Sequence, residues 1–221
     1  MIFLNLHTHS YTNQDDVIEI VNQYPQEFDN SIPNYSIGIH PWYIAENRID
    51  SDLQIIESKL QDQNCKAIGE CGLDKRIEIS MTLQQMVFEK QLALAEKYQK
   101  PVIIHCVGAF QEIIAIKKKM NISVPLIIHG FSKNIEMANQ LVKNGFYLSF
   151  GKSLFQVNDM ELVFNSIPYD RIFLETDTID KDIKAVYEIA SKNRNIELEE
   201  MKVIINANFD TVFNKIKHEL I

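Results

Sequence analysis

Short apolar runs alternate with longer amphipathic stretches along this chain. Strands are predicted at 2–6, 36–39, 66–69, 101–105, 125–128, 146–150 and 171–175. Several are apolar at successive positions, as in Val102-Ile103-Ile104 and Leu126-Ile127-Ile128. Strands covered on both faces have this pattern, and parallel sheets are where such strands occur. Between them the apolar period becomes helical. Thr82-Leu83-Gln84-Gln85 has capping-box spacing, and Leu83, Val87, Leu94 and Tyr98 then share a face. Pro101 stops that helix and opens the next strand. Ser132 is placed to cap a helix carrying Ile135, Ala138, Leu141 and Val142, with Gly145 as its terminator. The C-terminal third is mostly helical; residues 202–206 are the one further strand candidate there, in a helical context. This alternation predicts an α/β fold: a single TIM-like (β/α) barrel over residues 1–221, incomplete, with about seven strands.

Composition narrows the setting. A chain of 221 residues, 46% hydrophobic and 24% charged, suits one domain with a large core. No apolar run approaches the ~18 residues of a membrane span. The start, Met1-Ile2-Phe3-Leu4-Asn5, lacks the basic opening of a signal peptide. A cytoplasmic protein is therefore expected, with no membrane contact and no obligate protein partner implied. Cys65, Cys71 and Cys106 are odd in number and lack framework spacing, which argues against a disulfide scaffold. Cys71 and Cys106 lie in apolar segments and read as buried structural thiols. The net charge of −8 argues against a broad basic surface clamping duplex DNA. It leaves a nuclease open, because a metal cluster supplies its own local positive charge.

The polar residues at strand ends carry the chemistry. His7 and His9 follow the first predicted strand, His105 ends the fourth and His129 the fifth. Glu70 and Asp177 occupy the same position after the third and seventh. In a parallel barrel every strand C-terminus opens on one face, and active sites are built there. Side chains repeat with period two along a strand, so both imidazoles of His-x-His face the same side. Imidazole with carboxylate suits zinc, manganese or iron better than calcium. A carboxylate shared by two such ions is the arrangement of two-metal hydrolysis. A lone strand-end histidine is usually structural; six ligand-type residues at the same end of successive strands point to a metal site.

These residues sit in blocks that resemble the TatD family of metal-dependent deoxyribonucleases, within the wider metal-dependent hydrolase barrels. Asn5-Leu6-His7-Thr8-His9 is similar to D-x-H-x-H, and Gly38-Ile39-His40-Pro41-Trp42 to G-x-H-P. Ala67 to Asp74 resembles A-I-G-E-x-G-L-D, the most specific block. Pro101 to His105 resembles P-V-x-x-H, His129-Gly130-Phe131-Ser132 resembles H-x-F-S, and Leu174-Glu175-Thr176-Asp177 resembles L-E-T-D. Asn208 and Phe213 match the N-x-x-x-x-F of the last helix. The resemblance implies that His7, His9, Glu70, His105, His129 and Asp177 bind two or three divalent ions, zinc, manganese or magnesium. It implies that Glu70 bridges them and that Asp177 manages the proton of the attacking water, these two being the catalytic pair. It implies that His40 contacts substrate phosphate, and that Asp74 orients a loop, with Glu175 and Thr176 supporting Asp177. The implied substrate is a single-stranded DNA end, cut in the 3′-to-5′ direction.

The chain departs from the family pattern in four places. Asn5 replaces the usual Asp, and the Ser10–Gly38 stretch is short, as if a β/α unit were trimmed. Lys75-Arg76 stands where aromatic residues are common, and Thr178-Ile179-Asp180 lacks the usual proline. Lys75, Arg76 and Lys152 are candidates for backbone phosphate, each against the plainer reading of solvated loop charge. Three other functions compete. The same metals could hydrolyse small esters or amides, or aminoacyl esters on tRNA; Leu6 to Ser10 also resembles the start of PHP-family phosphoesterases; and a degenerate barrel could be a binding module, although all six implied ligands are present.

Overall fold

The computed structural model describes residues 1–214. Its strands are β1 (Phe3–Thr8), β2 (Val17–Gln23), β3 (Tyr35–Ile37), β4 (Cys65–Asp74), β5 (Val102–Val107), β6 (Leu126–Ile128), β7 (Phe146–Phe150) and β8 (Ile172–Leu174). The helices are α1 (Ile49–Lys59), α2 (Met81–Tyr98), α3 (Phe110–Met120), α4 (Ile135–Lys143), α5 (Ser153–Gln156), α6 (Met160–Ser166), α7 (Ile183–Arg194) and α8 (Leu198–Phe209). The sheet follows chain order from β1 to β8. That order, with parallel pairing, is the TIM-like α/β barrel topology.

The expectation of about seven strands is corrected by β2. Its sequence, Val17-Ile18-Glu19-Ile20-Val21-Asn22-Gln23, buries Glu19, Asn22 and Gln23 beside its apolar residues, so no clean apolar run announces it. Residues 9–16 and 24–34, on either side, contain no α-helix. The short stretch before Gly38 thus holds a strand without flanking α-helices. The alternative strand candidate, 202–206, lies inside α8. Two caps also move. Ser80, two residues before the expected Thr82, accepts the Leu83 N–H at the head of α2, and Asn134 rather than Ser132 accepts the Met137 N–H at the head of α4.

Contacts divide the chain into two compact units: Met1–Ile20 with Ile127 onward, and Val21–Leu126. In the Val21–Leu126 unit, β2, β3, β4 and β5 pair in parallel. Ile37, Ile56, Ile68, Phe88, Leu92 and Val102 to Ile104 are fully buried here. The face of α2 turned inward is Gln84, Val87, Phe88, Gln91, Leu92 and Ala95, a helical repeat with two glutamines in it. Both glutamines clamp backbone. Gln84 Oε1 accepts the Asp74 N–H at 2.8 Å and its amide donates to the Asp74 and Ile79 carbonyls. Gln91 does the same for Ile39, accepting its N–H at 2.7 Å and donating to its carbonyl at 3.2 Å. Buried amides must be paired, and here the pairing fixes the residue before His40 and the last residue of β4.

Strand β4 approaches β5 closely. Gly72 has φ +143°, and a Cβ there would collide with the His105 carbonyl. Gly72→Ala therefore combines a backbone conformation that side chains disfavour with a clash against backbone. It is expected to destabilise the protein by about 3 kcal/mol or more. A urea-unfolding midpoint matching the wild type would contradict this account of the β4–β5 approach.

In the other unit, β7 and β8 pair in parallel, with Phe150 opposite Leu174. The first strand also lies against the last: Thr8 and Asp177 form a parallel bridge, and Asp177 N–H donates to His7 O at 2.9 Å. The core here includes Leu4, Leu6, Phe146, Phe150, Phe164, Phe173 and Tyr187. The Tyr187 hydroxyl bonds both the N–H and the carbonyl of Leu4, and burial pushes its phenol pKa up. The Asn208 amide donates to the carbonyls of Tyr169 and Ile172, pinning the start of β8, while Phe213 stacks on Phe209. The last-helix motif is thus structural. Cys65 and Cys71 are buried, which raises both thiol pKa values, Cys65 to about 12. No helix among the described residues is long and apolar enough to cross a membrane.

Candidate metal centre

Within the first unit, the end of β1 and the segments after β6 and β8 bring His7, His9, His129 and Asp177 together. Asp177 Oδ1 lies 3.4 Å from His9 Nε2 and 3.7 Å from His7 Nε2. The His7 ring centre is 5.1 Å from that of His9 and 4.5 Å from that of His129. His7, His129 and Asp177 each offer a ligand atom, all within 4.8 Å of one another. Asp177 has φ +52°, in the left-handed region that Asp tolerates and most residues avoid.

Supporting residues fix this group. His129 turns Nδ1 towards Glu175 Oε1 at 3.4 Å, and the same oxygen accepts the Gly130 N–H. A carboxylate behind a histidine selects which ring nitrogen faces a metal. Asn5 accepts the Thr176 N–H and donates to Thr176 Oγ1 at 2.8 Å. The amide that replaces the family aspartate therefore ties β1 to the Leu174–Asp177 segment through one donated and one accepted bond. Of the two residues expected to support Asp177, Glu175 lies against His129 and Gly130, and Thr176 bonds Asn5. A cleft of about 690 Å³ opens beside His9 and Asp177, lined among others by Thr8, Thr12, Glu19, Asp180 and Asp182.

Within Val21–Leu126, a second group forms on β4, β5 and the turn after β3. Glu70 Oε1 lies 2.8 Å from His105 Nδ1 and 3.1 Å from His40 Nε2. His40 Nδ1 accepts the Trp42 N–H, so Nε2 is the nitrogen carrying hydrogen towards Glu70. These three also offer ligand atoms within 4.8 Å of one another. The Glu70 N–H donates to Asn22 Oδ1 at 2.6 Å, so the unforeseen strand β2 holds the backbone of Glu70. Asp74 Oδ2 accepts the Trp42 indole N–H at 2.9 Å and lies 3.3 Å from His105 Nε2. Burial opposes charge on Asp74, but the bonds from Trp42, the Arg76 N–H and His105 outweigh it and hold the carboxyl below its usual range.

The residues expected to touch substrate are placed differently from one another. His40 is buried on Glu70, Lys75 is ion-paired with Glu112, and Arg76 is largely exposed with its guanidinium 3.6 Å from Asp74. Asn22, Gln84 and Gln91 escaped the sequence reading. Their signal is faint: polar residues at positions whose neighbours have core periodicity.

Both groups combine imidazole nitrogens with carboxylate oxygens at chelating separations, a donor set that fits zinc, manganese or iron. A profile of the family described as TatD related DNase matches residues 2–214. A protein named uncharacterized metal-dependent hydrolase from Haemophilus influenzae is 32% identical over 158 residues, 67% of this chain and 60% of that protein. A relative of the same description from Buchnera aphidicola is matched over 55% of its length, so the chain spans little more than half of these relatives. A protein named "Putative deoxyribonuclease TATDN1 homolog" from Enterocytozoon bieneusi is 32% identical over 191 residues, 81% of this chain and 68% of that protein. The structure of YjjV, a TatD homolog from Escherichia coli, superposes with TM-score 0.80 at 20% identity, covering 96% of this chain and 98% of that one. A TatD family hydrolase from Entamoeba histolytica gives 0.81 at 18% identity, covering 97% and 98%. At these identities the two structures establish a shared fold.

Proposed function

We propose, on the premise that this chain belongs to the TatD related DNase family, that it is a metal-dependent hydrolase cleaving phosphodiester bonds from the 3′ end of single-stranded DNA. The observation that carries this reading is the pair of His-carboxylate groups, each offering three donors at chelating separation. We take His7, His9, Glu70, His105, His129 and Asp177 as the ligand set, with Glu70 shared between ions. Two divalent cations so held would lower the pKa of a water and neutralise the leaving oxygen.

The chain's own residues have separable roles. Asp177, partly exposed beside His9, accepts the proton of the attacking water. Glu175 orients His129, and Asn5 with Thr176 fixes the backbone leading to Asp177. His40 donates to Glu70, and with cations held by Glu70 the same N–H would be available to donate to a substrate phosphate oxygen. Arg76 meets the backbone from its exposed position, and Lys75 does so only in competition with Glu112.

One observation favours a second reading. The cleft beside Asp177 carries Glu19, Asp180 and Asp182, which repel a polyanion and suit a small ester or amide. Metal-stripped protein incubated with 3′- and 5′-labelled single-stranded DNA, with magnesium, manganese or zinc restored in turn, separates the two. Stepwise shortening from the 3′ end that stops with chelator supports the nuclease. Failure with every metal, in protein that still takes up two ions, leaves the small-substrate reading.

A further inference from the structure

The chain has a single tryptophan, and the fold leaves it outside. Trp42 is 52% exposed and its neighbour Tyr43 is 45% exposed, on the 3-10 turn Pro41–Tyr43 that follows His40. Surface tryptophans usually turn freely about two side-chain bonds. This one is held, because its indole N–H is bonded to Asp74 Oδ2 and its ring lies roughly perpendicular to those of His40 and His105, with ring centres 5.1 and 6.0 Å away. Tyr43 is braced in turn by Tyr24, edge to face at 5.1 Å. The other Asp74 oxygen accepts the Arg76 N–H, which sets the exposed guanidinium at the same carboxylate.

We infer that Trp42 is a stacking platform for an unpaired nucleobase of the substrate, with Arg76 beside it for the adjoining phosphate. Three features support this. The polar edge of the indole is satisfied by Asp74, so what the half-exposed side chain has left for a ligand is its apolar ring. Its anchor, Asp74, also contacts His105, so a base on Trp42 lies beside the His40–Glu70–His105 group. Aromatic faces bind single strands with little sequence preference, because every base has a π-face, whereas paired bases in a duplex are already stacked. The substrate class that follows is single-stranded nucleic acid with an intact base next to the scissile phosphate. This inference rests on the nuclease reading.

Being the only tryptophan, Trp42 reports its own occupancy. The metal-loaded protein is titrated with a phosphorothioate oligothymidylate, which resists hydrolysis, and with the same backbone made of abasic residues. Quenching of the emission by the first is expected, with affinity roughly ten-fold or more weaker for the second. Trp42→Phe keeps a ring and loses the N–H to Asp74, so affinity of a labelled oligothymidylate should fall little. Trp42→Ala should bind about as weakly as wild type binds the abasic strand. Equal loss in both variants would assign Trp42 to holding Asp74 and overturn the platform. So would DNA hydrolysis by wild type with unchanged emission on binding, which leaves the nuclease reading standing. Neither binding nor hydrolysis of DNA by wild type would remove both.

Discussion

Glu70→Gln is expected to lower turnover by roughly 10²–10⁴-fold, the range over which removing a group acting on the reacting proton or charge is felt, while the protein stays folded. Glu70 is 3% exposed, and its Oε1 takes contacts from both His40 and His105. Glutamine has nearly the same shape and keeps an oxygen that can accept from His40, so the packing and that bond survive. It cannot supply a negative charge to two cations at once. The variant should therefore unfold at a temperature close to wild type, measured without metal, and bind at least one ion fewer per chain by metal analysis. Full activity in a folded Glu70→Gln protein would end the bridging assignment.

Asp177→Asn is expected to reduce turnover by a similar factor, roughly 10²–10⁴, with a smaller loss of bound metal. The choice of asparagine is dictated by the backbone. At φ +52° most side chains crowd the following carbonyl at a cost of about 1–2 kcal/mol, whereas Asn accepts this region as Asp does. The bond from residue 177 N–H to His7 O is a main-chain bond and remains. What disappears is the carboxylate beside His9 and His7, and with it the acceptor for the proton of water. The decisive measurement is kcat against a DNA end at saturating metal. Loss of kcat with intact fold locates the effect in charge; recovery at high metal concentration would reduce Asp177 to a ligand alone.

Much of the fold was legible because strands covered on both faces have continuous apolar runs. Val102–Ile104 and Leu126–Ile128 could hardly be anything else. Strand β2 was not legible for the opposite reason: Glu19, Asn22 and Gln23 are buried by partners distant in the chain or supplied by a loop, and no local pattern encodes those partners. Strand-end histidines and acids were legible because parallel topology gives all strand ends one meaning. Their grouping follows it, His7 with His9, His129 and Asp177, and Glu70 with His105 and His40. Gln84 and Gln91 were hidden because a buried amide on a helix face breaks the apolar stripe that identifies the face. Lys75 is the converse case. Its charge was visible, but its pairing with Glu112 depends on α3 lying beside the β4 end.

The bridge between Thr8 and Asp177 sets an order in time. His7 and His9 are synthesised well before their carboxylate partner, which follows only after β8 has been made. Contacts of such high sequence separation form late and slowly. The Val21–Leu126 unit, by contrast, is one continuous segment whose strands can pair as they emerge. A nascent chain can thus assemble His40, Glu70 and His105 while His7 and His9 still await Asp177. A chain released before residue 177 never acquires that partner, so translation must run past β8 before this constellation of side chains exists at all.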